Sequence, residues 1–242
     1  MIFMLRPRSG PTQWVDSDKY RLSPSVAVSE AADSFGNLRQ RLVAPVGKFE
    51  IFTSTHVVVD STPHTPKGSS FVEVLDLPNN VLVYLLPSRY CESDRFGDMA
   101  SEIVGESQIG YAQVEAITEW VRANVANNAG SSTYPVSAVE INERREGVCR
   151  DLAQISIALC RAMCIPARLV VGYMHALEPM DVHAWFEAFL DGRWHPFDPT
   201  VVETNSLRIA IAHGRDSADV AIYNQYGPML LPDSMSVNVD VL

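Results

Sequence analysis

The chain predicts an α+β protein in which a small β-sandwich-like region precedes a core of mixed helix and sheet, and three observations carry that prediction. The first ninety or so residues hold short runs rich in Val, Ile, Phe and Tyr, separated by clusters of turn formers. Past Pro87 the apolar residues change to helical spacing. From Val148 to Asp198 a helical stripe, a short strand and a hairpin follow one another. The change falls between Pro87 and Gly110, which divides the chain into a β-rich domain at 1–95 and a core with a C-terminal extension at 96–242.

In the first part, Phe49 to Val59 and Val81 to Leu86 are the strand candidates. Ser34-Phe35-Gly36-Asn37 and Ser61 to Gly68 are the turns between such runs. In the second part, Val114, Ile117, Val121 and Val125 predict a helix over Tyr111 to Ala126, stopped by Asn127-Asn128-Ala129-Gly130. Val148, Leu152, Ile155, Leu159 and Met163 predict a helix with one buried stripe, closed by Pro166. Arg168 to Tyr173 follows as a strand. His183 to Leu190 and Arg193 to Asp198 then form two strands around Asp191-Gly192, a dipeptide that favours a two-residue hairpin loop.

Composition bounds the function. With 242 residues, 47% hydrophobic and 20% charged, the chain suits a globular protein of one large or two modest domains. A net charge of −10 and a pI near 5.0 argue against nucleic acid or an anionic membrane as partner, since both repel it at long range. The first residues place an apolar run ahead of Arg6 and Arg8, the reverse of a secretory signal. No stretch approaches the roughly 18 apolar residues of a membrane span. A cytoplasmic protein is the expectation. Four cysteines make a poor disulfide framework for this length, so free thiols are expected.

The chemistry concentrates in the core. Cys149 falls in the first turn of its helix, where unpaired backbone N–H groups and the positive end of the helix dipole favour a thiolate. A two-residue hairpin loop sets Leu190 opposite Arg193 and Trp185 opposite Asp198. Side chains alternate along a strand, so His183, Trp185 and Asp198 share one face and His183 lies diagonal to Asp198. A thiol, an imidazole and a carboxylate are the parts of an activated nucleophile. Trp185, Glu187 and Trp194 fall on the same face, and His195 falls on the other. His175, just past the strand ending at Tyr173, is the rival base. Cys160 and Cys164 lie one helical turn apart, but no second pair of ligands completes a metal site, so they read as core thiols. Arg150 and Asp151 read by default as solvated charges, and Gly214-Arg215-Asp216 as a loop.

These residues also carry a resemblance. Glu146 to Ala153, Ile165-Pro166-Ala167-Arg168, Gly172-Tyr173 and the His183 and Asp198 segments resemble the core of bacterial transglutaminase-like proteins, described as candidate cysteine proteases. The likeness spans roughly Tyr111 to Thr200. Asp33 to Asn37 and Pro45-Val46-Gly47 resemble the β-rich region that often precedes that core. The chain begins at Met1, where such regions often carry a further strand, so a differently edged β region is expected. The resemblance implies a papain-like core in which Cys149 is the nucleophile, His183 the general base and acid, and Asp198 the group that orients the imidazole. It implies acyl transfer through a thioester, with no metal or cofactor, on a peptide, protein or small amide. Hydrolysis is the favoured outcome. Capture of the acyl group by an amine and a non-catalytic binding module are the alternatives.

Overall fold

The structure is a computed structural model that describes residues 1–60, 68–107, 109–201, 207–228 and 231–242. Five strands open the chain: β1 (Ile2–Phe3), β2 (Gln13–Ser23), β3 (Val28–Ala32), β4 (Leu38–Leu42) and β5 (Glu50–Val59). β2 and β5 pair antiparallel as a two-stranded ribbon, with a bulge at Val15/Ser17. The expected turn at Ser34 to Asn37 is present. Asp33 Oδ1 accepts from the Phe35 and Asn37 amides at 2.9 and 2.8 Å, and Gly36 takes φ 86°, a conformation that favours glycine. The turn at Ser61 to Gly68 lies, except for Gly68, outside the described residues.

Val81 to Leu86 is not a strand. Leu82–Leu85 forms a 3-10 turn whose Tyr84 is buried against Trp194, and apolar density alone cannot separate so short a turn from a strand.

The core begins with α1 (Gly97–Val104) and α2 (Tyr111–Asn124). α2 ends two residues before the expected limit, because Val125 turns extended and the next residues form β6 (Ala126–Asn127). α3 (Ala138–Arg144) and β7 (Glu146–Gly147) lead into α4 (Cys149–Ala162), and β7 pairs parallel with β6 just ahead of Cys149. The sheet of the core has the order β10 (Arg193–Phe197), β9 (His183–Leu190), β8 (Ala167–Met174), β11 (Arg208–Gly214). Asp191 (φ 50°) and Gly192 (φ 76°) make the two-residue hairpin turn, and the register runs from Arg193 opposite Leu190 to Phe197 opposite Phe186.

α4 is buried on every side rather than along one stripe: each residue from Asp151 to Arg161 is buried. Leu152, Ile155, Ile157 and Leu159 pack into the main core with Leu169, Phe186 and Leu190 of the sheet and with Val114, Ile117 and Val121 of α2. The polar positions are buried because other segments satisfy them. Gln154 donates to Val136 O at 2.9 Å and accepts from the Ser217 amide at 3.1 Å. Arg161 donates to the carbonyls of Leu86, Ala167 and Arg215 and to Ser88 Oγ. Those bonds correct the loop reading of Gly214 to Asp216. Asp216 is 1% exposed and accepts from the Tyr90 amide at 2.7 Å, so the segment ties α4 to the chain around residue 90.

The N-terminal strands meet this core along the free edge of β11. The Gln13 side-chain amide exchanges two 2.8 Å hydrogen bonds with the Ala210 backbone, and the Asn37 amide does the same with His213. Two side chains thus replace the neighbouring strand that an edge lacks. β12 (Tyr223–Asn224) returns to pair with β1, completing a sheet of order β12-β1-β4-β3. Among the described residues, no helix is long and apolar enough to cross a membrane.

Candidate active site

Cys149 is the first residue of α4, after an extended Val148. The turn that presents it is built by Asp151. This carboxylate is fully buried, accepts from the Val148 amide at 3.2 Å, and takes further bonds from Arg150 Nε (3.1 Å) and from Ser132 Oγ. Arg150 also donates to Tyr134 O at 3.0 Å. Neither residue is therefore a merely solvated charge. A Cβ at Gly147 would stand 2.8 Å from Asp151 Cβ, so glycine lets the two turns close together. Cys149 is half-buried and is a free thiol, as are Cys91, Cys160 and Cys164.

His183 opens β9 and Asp198 follows β10, and the hairpin register brings them together. His183 Nε2 donates to Asp198 Oδ2 at 2.8 Å, with both side chains almost wholly buried. The other oxygen of Asp198 accepts from the Thr200 amide at 2.9 Å and from Thr200 Oγ1 at 2.7 Å. Burial alone would raise the Asp198 pKa, yet the bonds from His183 and Thr200 hold it below its ordinary value. Burial likewise favours a neutral His183, but hydrogen bonds to Asp198 and Cys149 and the charges of both raise it from 6.5 to about 9. With Nε2 committed to Asp198, Nδ1 is the ring nitrogen free of that bond. The structure thus joins His183 directly to Asp198, and Cys149, at the head of α4, enters as one of the influences that raise the imidazole pKa.

The ring of Trp185 stacks on His183, with centroids 6.3 Å apart and planes 23° apart, as a shared strand face requires. Gly172, opposite His183 in the β8–β9 ladder, makes room for it. A Cβ there would lie 2.9 Å from the Trp185 ring and 2.0 Å from Ile209 O. Glu187 and Trp194 share the face but not the site. Glu187 pairs with Arg168 Nε at 2.7 Å, and Trp194 packs beneath the Arg168 guanidinium and against Phe189. His195 points away, with Nε2 bonded to Leu190 O at 3.1 Å. It is His183, not His175, that bonds Asp198.

Cys160 is buried, and burial pushes its thiol pKa up, whereas Cys164 is exposed at a left-handed residue (φ 59°) after α4. The expectation of two core thiols holds for Cys160 alone, because α4 ends before Cys164. No group of three or more metal-ligating side chains occurs among the described residues.

Three neighbours escaped the sequence. Arg208 on β11 brings Nη2 to 3.6 Å from Asp198 Oδ2 and sets its guanidinium 5.9 Å from the Trp185 ring centre. Arg122 on α2 bonds the backbone that follows β10. Both come from distant segments, and nothing in one sequence signals them. Thr200 could have been found, since an Asp whose carboxylate accepts from the amide two residues on is a familiar turn.

A helix that presents a cysteine to a sheet carrying His and Asp defines the class, and comparison with known proteins gives its family. The transglutaminase-like superfamily matches residues 97–199. A solved structure described as a "Putative Cysteine Protease from Cytophaga hutchinsonii" is 35% identical, with a TM-score of 0.83, over 91% of this chain and 78% of that one. An uncharacterized Mycobacterium leprae protein is 26% identical over 233 residues, 90% of this chain and 82% of its own length. An uncharacterized Mycobacterium tuberculosis protein is 35% identical over 107 residues, 38% of this chain and 34% of that protein. The chain belongs to the transglutaminase-like superfamily.

Proposed function

We propose that this protein is a cysteine-dependent acyl-transfer enzyme that hydrolyses a peptide or amide bond, with Cys149 as nucleophile, His183 as general acid and base, and Asp198 orienting the imidazole. The observation that carries this reading is the buried 2.8 Å bond from His183 Nε2 to Asp198 Oδ2, made by an imidazole whose pKa is raised by Asp198 and Cys149 together. Membership of the superfamily and likeness to the Cytophaga hutchinsonii protein support it.

An imidazole with a pKa of about 9 is protonated at neutral pH, and an imidazolium is the counter-ion that a thiolate needs. The Cys149 thiolate adds to the substrate carbonyl, and backbone N–H groups at the start of α4 stabilise the oxyanion. His183 Nδ1 gives its proton to the departing amine, the C–N bond breaks, and a thioester remains. Nδ1 then takes a proton from water, the hydroxide adds to the thioester, and collapse releases the acid and restores the imidazolium–thiolate pair.

The test is intact-mass analysis after incubation with a library of peptides and small amides. The expected result is a trapped acyl adduct on Cys149, absent from Cys149→Ala, with the free acid as product. Full turnover by Cys149→Ala would refute the nucleophile. Transfer of the acyl group to an added amine, with no acid released, would replace hydrolysis by transamidation.

A further inference from the structure

The segment that carries Asp198 has no ladder to hold it. β10 ends at Phe197, and Pro196 and Pro199 lack the N–H groups that would extend its pairing. The carboxylate is held by His183, Thr200 and Arg208, and of those contacts only the bond from the Thr200 amide reaches the backbone of the turn.

The further backbone restraint comes from α2. Arg122, in the last turn of that helix, donates from Nη2 to Asp198 O at 2.9 Å and to Val201 O at 3.2 Å, and from Nε to Pro199 O at 3.2 Å. The helix beneath it is anchored, with Val114, Ile117 and Val121 fully buried. All three acceptors are neutral carbonyls, so the guanidinium grips the chain without drawing the Asp198 carboxylate away from the imidazole. A planar fork donates from separate nitrogens to acceptors spread along one turn of backbone, as Nε and Nη2 do here, whereas an ammonium group donates from a single atom.

We propose that Arg122 is a positioning residue for the His183–Asp198 pair: from α2, its guanidinium fixes the 198–201 backbone so that the Asp198 carboxylate meets His183 Nε2. Its catalytic consequence rests on the function proposed above. Misplacement of an orienting group by about an ångström can cost two orders of magnitude in rate, so a small relaxation of this turn has a large readout.

Two measurements on Arg122→Met and Arg122→Lys test this, with Arg215→Met as control because Arg215 serves a separate turn through Asp219. One is the downfield proton resonance of His183 Nε2–H. The other is the pH profile of Cys149 alkylation by iodoacetamide, scored by peptide mass spectrometry against the exposed Cys164 as internal standard. In Arg122→Met the resonance is expected to be lost to solvent exchange and the Cys149/Cys164 rate ratio to fall about tenfold or more. Added methylguanidinium is expected to restore both, and Arg122→Lys to stay impaired. The control is expected to keep both signals, whatever stability it loses.

An unchanged resonance and rate ratio in Arg122→Met would overturn the proposal, as would equal changes in the control. If Arg122→Met does not fold, Arg122→Lys decides by the same readouts. A wild-type Cys149 that reacts no faster than Cys164 at any pH would sink the nucleophile reading instead, and the resonance would still decide the role of Arg122.

Discussion

α4 and the β2–β5 ribbon are opposite ways of using a long regular element. From Asp151 to Arg161 the helix has no exposed residue, whereas the ribbon alternates half-buried and exposed positions along both strands, with only Gln13 buried. In the helix, Gln154 and Arg161 bring their polar ends inside and meet carbonyls, an amide and a hydroxyl there. In the ribbon, Trp14, Phe52 and Val58 are more than half or about half exposed. The central helix is thus a platform that cannot shift without breaking many bonds, and the active-site cysteine candidate sits at its tip. The ribbon spends its length on surface, joined to the core through Gln13.

The sharpest test of this contrast is Asp198→Asn, which keeps the shape of the core but removes the charge facing His183. Turnover is expected to fall on the order of 10⁴-fold, by analogy with the loss of the acid in a Ser-His-Asp triad, while ribbon substitutions leave it unchanged. The same variant has a stability signature. The His183 pKa is raised, so its contribution is fully present below pH 6.5 and is lost as pH rises through about 9. The Asp198 pKa is lowered, so its contribution is present above the ordinary carboxylate value and is lost as pH falls through the lowered one. Denaturant unfolding across pH is expected to show both slopes in the wild type, and in Asp198→Asn to lose the acid one and keep only the part of the alkaline one that Cys149 supplies.

Next in size is Ile155→Ala, which empties a fully buried site on α4 and is expected to cost about 2–5 kcal/mol in urea unfolding. Asn37→Ala strips the His213 N–H and C=O of their partner at the seam between the two regions. A cost of about 1–3 kcal/mol is expected, with the pH profile of Cys149 alkylation unmoved. Smallest is Phe52→Ala on the ribbon, expected to change stability by no more than about 0.5 kcal/mol. A larger loss would show that the exposed face is covered in solution and would break the contrast.

What the sequence displays depends on whether the cause is local. The hairpin was legible because Asp191-Gly192 sets its loop length, and the loop length sets which residues face one another down to Phe186 and Phe197. Helix α4 was legible in extent but not in burial, because a stripe of Leu and Ile reports one face and says nothing of what covers the other. Asp151 looked like a surface charge for the same reason: its partners include Ser132, far back in the chain. Arg122 and Arg208 were invisible, since each reaches the 198–201 turn or its carboxylate from an element whose own pattern gives no hint of the contact. The 3-10 turn at Leu82–Leu85 misled because four apolar residues in a row fit either geometry.

Position 172 carries an evolutionary consequence. A methyl group there meets the carbonyl oxygen of Ile209 at 2.0 Å and the Trp185 indole at 2.9 Å, so no single replacement at this site is neutral. Shrinking Trp185 relieves only the second clash. The main chain of β11 would also have to move, and β11 carries Arg208. Descendants that keep this strand spacing are therefore locked to glycine there, and a homologue with a side chain at that place must have rebuilt the far edge of the sheet first.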